Sequence, residues 1–159
     1  MKTFFSEKHK LRDANTELYG GELVKPFERP QRLDFIVDEI KTRGLGEIIN
    51  PNKVNLNIIG KVHDQDYIKF LDNAWNEWTK EGFKGEAIPT VWPSRSMNSM
   101  KIPTFIEGKL GYYSLAGETS ISNGSIEAAY EAVRVAISAV DTLVNDKLSG
   151  IFALCRPPG

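Results

Sequence analysis

The chain has 159 residues, 41% of them hydrophobic and 26% charged, and its 20 basic and 21 acidic side chains leave a formal net charge of -1. These figures describe a globular chain long enough to bury one core, exclude charge-driven disorder, and leave no net positive field to attract a nucleic-acid backbone. The single cysteine, Cys155, excludes an internal disulfide and a cysteine-rich zinc site, so the expected compartment is reducing, with the cytoplasm as default. The opening MKTFFSEKHK loses its apolar character at Ser6, well short of a signal-peptide core. No later stretch approaches the roughly 20 apolar residues that span a bilayer, so no membrane partner is expected.

In chain order, Lys2 to Ser6 reads as a short Phe-rich strand, followed by a polar segment in which Gly20-Gly21 marks a turn. Pro30 suits a first helical position, Leu33, Ile36, Val37 and Ile40 form an apolar stripe, and Gly44 suits the C-terminal cap. Val54, Leu56 and Ile58 alternate with asparagines, and with Ile59 and Gly60 they predict a second strand. Asp64 is placed to cap a helix carrying Tyr67, Leu71, Trp75 and Trp78 on one side, with Gly82 as its stop.

Residues 83–124 hold Pro89, Pro93 and Pro103 with no sustained period, and read as a long irregular loop of the kind that is usually functional or mobile. Ser125 is the expected N-cap of a last helix whose stripe is Ile126, Ala129, Tyr130, Val133, Ile137, Val140 and Val144. After Gly150, the continuous apolar run IFALC predicts a central parallel strand buried on both faces. The order over 1–159 predicts an α/β fold, a parallel sheet flanked by helices.

Ligands gather at the carboxyl ends of strands in open parallel sheets, and Arg156, Pro157, Pro158 and Gly159 occupy that place after IFALC. The run LCRPPG, the earlier ERPQR (Glu28 to Arg32) and KVHDQDYIKFL (Lys61 to Leu71) resemble the amino-terminal half of the zinc-dependent histone deacetylase family. TELYGGEL (Thr16 to Leu23) and IPTFIEGKLGYY (Ile102 to Tyr113) narrow the resemblance to its bacterial acetylpolyamine amidohydrolases. The resemblance implies the N-terminal part of an arginase/deacetylase-like fold, incomplete as given. It also implies that the tandem catalytic histidines, the zinc ligands and a catalytic tyrosine follow the RPPG run, so that this chain carries no catalytic or metal residue and zinc belongs to the full-length parent.

The residues themselves offer no rival centre. His9 and His63 are the only histidines and lack a ligand spacing; His9 reads as an exposed loop residue and His63 as a packing or capping one. Cys155, within an apolar run, reads as a small hydrophobe with a raised pKa. Substrate recognition remains. A slender chain bearing ammonium groups needs carboxylates and aromatic walls, and the resemblance implies these roles for Glu17, Glu107 and Glu118, with Tyr19 and Trp92 as lining residues. It further implies an acetate-passage role for Arg32, against an ordinary salt bridge, and a structural role for Arg156. The expected function is hydrolysis of acetylated polyamines by a homodimer joined through residues 83–124, the 159 residues alone being inactive. The alternatives are a deacetylase of acetyl-lysine or another small acetamide, and a non-catalytic interaction module.

Overall fold

Lys2–Phe5 forms β1, the middle strand of a parallel three-stranded sheet of order β4-β1-β5, where β4 is Ile48–Ile49 and β5 is Ile151–Leu154. The computed structural model describes residues 1–94, 96, 101–118 and 120–156; Pro157, Pro158 and Gly159, which the sequence places at the carboxyl end of the IFALC strand, lie outside the described residues. The chain divides into two units, Met1–Asp13 with Glu28–Ile59 and Gly124–Gly159, and Ala14–Phe27 with Gly60–Asn123.

In the first unit the two-residue period of the strands supplies two cores. Phe5, Phe152 and Leu154 meet Leu33, Val37 and Ile40 of α1 (Gln31–Thr42). Phe4, Ile151 and Ala153 cluster with Val135 and Ala139 of α4 (Ser125–Asn145). Among the described residues β5 pairs with β1 alone, so it lies at an edge of the sheet and not at its centre, although its side chains reach both cores.

Three expectations fail here for local reasons. No strand forms at Val54–Gly60: the Asn55 side chain accepts a hydrogen bond from the Asn57 N–H at 3.0 Å, a side-chain turn that competes with extended pairing, and Leu56–Lys61 is a 3-10 helix. Gly124, with φ 79°, stands at the N-cap of α4, and Ser125 is already helical. The buried face of α4 is Ala128, Glu131, Val135, Ser138 and Ala139, whereas Val140 and Val144 of the expected stripe are exposed. Small and hydrogen-bonded residues define that face: Ser138 accepts from the Asn52 N–H at 2.8 Å, and the Ser6 hydroxyl donates to Glu131 at 2.7 Å.

The second unit holds the hairpin β2 (Glu17–Tyr19) and β3 (Glu22–Val24), α2 (Gln65–Lys80) and α3 (Ile106–Tyr113). Gly20 and Gly21, both at positive φ, make the two-residue turn that antiparallel twist favours. Phe70, Ala74 and Trp78 of α2 pack on Ala87, Ile106 and Leu110. The helix α3 and the Ala87–Ile121 bridge give order to a stretch read from sequence as irregular throughout 83–124. At Gly111 an added Cβ would lie 1.5 Å from the Val91 carbonyl oxygen, so only glycine lets that backbone sit against α3.

The end of β5 is fixed by a buried cation. Arg156 is 1% exposed; its Nε donates to both Glu28 oxygens at 3.0 Å, its Nη2 also reaches Glu28, and Nη1 donates to the carbonyls of His9, at 2.7 Å, and Arg12. His9 is 4% exposed on the 3-10 helix Glu7–Leu11, against Phe5 at 5.3 Å, and is not the exposed loop residue that its polar surroundings predict. Burial first, and Arg156 second, hold its imidazole below the ordinary 6.5. Burial alone would raise the Glu131 carboxyl, but the Ser6 hydroxyl, Arg134 and Lys8 hold it below its ordinary 4.5.

Replacing Arg156 by Met strands Glu28 and two carbonyls, and urea unfolding is expected to show a loss on the order of 3 kcal/mol. Lysine at 156 restores less than half, because a point charge cannot span a fork of acceptors. His9 and Glu131 each bind fewer protons folded than unfolded, so stability rises with pH across both ranges. On acidification from pH 7, unfolding free energy falls first as pH passes below 6.5, and again from 4.5 down through the lowered value of Glu131. Urea titrations across pH check this: His9→Phe is expected to remove the upper phase and Glu131→Gln the lower.

Candidate substrate-recognition site

The hairpin in TELYGGEL carries two of the expected recognition residues. Glu17 is partly buried, and its Oε2 accepts the Phe27 N–H at 3.1 Å, which fixes the direction of the carboxylate. Tyr19 is 61% exposed and meets the Phe27 ring edge-to-face at 5.5 Å. A carboxylate and an exposed aromatic pair thus occupy one short ribbon. Phe27 was not singled out by any motif, and only its place shortly after the hairpin hints at it.

The strand entering the hairpin is tied to the start of the 83–124 segment. Glu86 accepts the N–H groups of Asn15 and Thr16 at 2.8 and 2.9 Å and the Thr16 hydroxyl at 2.7 Å. Sequence reading missed Glu86, since an acidic residue in a polar stretch gives no periodic signal. Farther along, Trp92 donates from Nε1 to the Ser114 carbonyl at 2.9 Å. A Cβ on Gly117 would lie 3.3 Å from Leu18 Cδ2 and 3.9 Å from Trp92 Cη2. Gly117 therefore brings Trp92, and the exposed Glu118 that follows it, to the flank of the hairpin. Glu107 is exposed on the first turn of α3, carried by a separate element.

Other expected residues hold different positions. Arg32 has a side chain 48% exposed and faces Glu28 at 3.4 Å, a salt bridge at the helix start, whereas the Arg156 guanidinium is buried. His63 is exposed beside Tyr67, with ring centroids 5.7 Å apart. Burial pushes the Cys155 thiol up, as its apolar run predicts. Among the described residues, three potential metal ligands converge only at Glu7, His9 and Asp34. No helix among them is long and apolar enough to cross a membrane.

Comparison with known proteins gives this geometry a context. Over its full length the chain is 48% identical to an acetylpolyamine amidohydrolase of Mycoplana ramosa and 38% identical to acetylpolyamine amidohydrolase 2 of Pseudomonas aeruginosa, covering 46% of each. It superimposes on the crystal structure of an acetylpolyamine aminohydrolase from Burkholderia pseudomallei with a TM-score of 0.86 at 27% identity, covering all of this chain and 45% of that one. The chain thus spans less than half the length of the relatives it matches, in their N-terminal part. Its α/β architecture agrees with the corresponding part of that structure. Residues 26–159 match the histone deacetylase domain, and the chain belongs to that family.

Proposed function

We propose that this chain forms the cation-recognising part of a protein of the relatives' length that hydrolyses the acetamide of acetylated polyamines. The observation that carries the reading is the 48% identity, sustained over all 159 residues, to an acetylpolyamine amidohydrolase. Physical support comes from the hairpin, where the Phe27 N–H orients the Glu17 carboxylate and Tyr19 offers an exposed ring. Such a pair suits an ammonium on a methylene chain, the charge meeting the carboxylate and the methylenes lying along the ring. Glu107 and Glu118 supply further negative charge, and Trp92 a second aromatic surface. The half-exposed position of Arg32 gives no support to an acetate passage, and it serves here as a partner of Glu28.

Zinc, the metal implied by the family, supplies an activated water and polarises the scissile carbonyl when bound. The residues of this chain do not fit that centre. Their one convergent ligand set, Glu7, His9 and Asp34 among the described residues, lies on the Glu7–Leu11 helix and the first turn of α1 and includes none of the proposed recognition carboxylates. No step is therefore derived through zinc, and the contribution of these residues is to bind and orient the amine end.

The homodimer through residues 83–124 belongs to the same proposal, supported by exposed Val91, Phe105 and Leu115 on that segment.

A chimera in which this chain replaces the matching part of the Mycoplana ramosa enzyme tests the recognition role. Glu17→Gln and Glu107→Gln are each expected to lower kcat/KM for acetylputrescine about tenfold or more, as removal of a charged hydrogen-bond partner of ~1.5–3 kcal/mol would. Turnover of a neutral N-alkylacetamide should change less than about threefold; equal losses on both substrates reject the assignment. The 159-residue chain alone is expected to release no acetate. For the dimer, light scattering of the chimera should give twice the monomer mass, with Phe105→Glu shifting it to monomer, and a monomeric parent chimera overturns that part.

A further inference from the structure

Outside the recognition residues, one cluster joins a buried group without partners to exposed groups of opposite charge. Glu7 and His9 lie two residues apart on the Glu7–Leu11 helix, and Asp34 lies in the first turn of α1. One oxygen from each carboxylate and one imidazole nitrogen lie within 4.8 Å of one another. His9 is held in place by burial and by Phe5, yet neither ring nitrogen has a hydrogen-bond partner. A neutral imidazole presents one lone pair, and an acceptor buried without a donor is a rare feature in a folded protein.

The two carboxylates already converge on a cation. The Lys10 ammonium lies 2.7 Å from Glu7 Oε2 and 3.1 Å from Asp34 Oδ1. It satisfies the acids and leaves the imidazole unmet. The Lys10 side chain is about half exposed, as is that of Asp34, and Glu7 is more exposed still, so all three can change rotamer without disturbing a core. With Lys10 turned into water, the acids present a charge of two to the point facing His9. Arg156 is the other cation near His9, and Glu28 pairs with it.

We propose that Glu7, His9 and Asp34 form a site for a divalent transition-metal ion, which enters by displacing the Lys10 ammonium. One imidazole and two carboxylates match the ligand preferences of Zn2+, Co2+ and Ni2+, and the imidazole disfavours Ca2+ and Mg2+. Three protein ligands leave a position for water. Bonds of about 2.0–2.2 Å require the two acids to draw in toward the fixed ring, a movement of side chains alone. His9 also lines a small cavity with Ser6 and Glu131, of about 10 Å³, which borders on room for one water to partner its second nitrogen. The site uses none of Glu17, Glu107 or Glu118, and so stands or falls apart from the polyamine reading.

The test is titration of the metal-free 159-residue chain with Co2+ at neutral pH, read by visible ligand-field absorption, followed by Zn2+ displacement. The expected result is one equivalent of Co2+, released by Zn2+, with a hyperfine-shifted imidazole resonance in the NMR spectrum that His63→Gln leaves in place. The surface pair Glu7→Gln and Asp34→Asn should weaken binding more than tenfold with the thermal melt unchanged. Lys10→Met should tighten it, since the competing ammonium is gone. Absence of binding, a loss smaller than tenfold in the carboxylate variant, or weaker binding in Lys10→Met overturns the proposal.

Discussion

A guanidinium with almost no access to solvent, at the end of β5, sets the terms for the first unit. Arg156 carries a charge that stays in place at any ordinary pH, and its desolvation is offset only if its donors meet acceptors in the right plane. Glu28, just before α1, supplies two oxygens, and the carbonyls of His9 and Arg12 supply the others. Three segments distant in sequence are thereby brought to one point. The apolar cores on both faces of the sheet provide burial without direction; the arginine adds direction, because a fork of donors accepts few arrangements.

The same point explains the surroundings of His9. Its carbonyl is committed to Arg156, its ring rests on Phe5, and the short helix that carries it follows β1 directly. The loss of water first, and the positive charge of Arg156 second, lower its pKa. An imidazole buried against Phe5 beside exposed acids differs chemically from the solvated histidine that the polar sequence EKHKL suggests. Its character comes from tertiary neighbours and not from its own segment.

Much of the fold was legible in the sequence. β1, α1 and α2 follow their periods, Gly44 and Gly82 follow the helices they were expected to end, and the apolar run forms β5, though at an edge of the sheet among the described residues. The failures share a cause, since pattern reading weighs apolar character alone. In α4 the face against the sheet is chosen by small and hydrogen-bonded residues, Ala128, Glu131 and Ser138, so the larger valines lie outward. At Val54–Gly60 the alternation was genuine, but the polar residue between the apolar ones closed a turn. The proposed recognition residues were named through motif resemblance; what resemblance withheld was their support. Phe27, Glu86 and Gly117 hold Glu17, Thr16 and Trp92 through backbone groups and close approach, which leave no trace in composition.

The contact of Val91 with α3 bears on how the proline-rich stretch can diversify. Its anchor is a carbonyl resting where a helix lacks a side chain, so the attachment depends on the residue at 111 and hardly at all on which side chain position 91 carries. The side chain at 91, more than half exposed, is thereby released from the task of tethering. Over evolutionary time it is free to change shape and polarity while the main chain keeps its course.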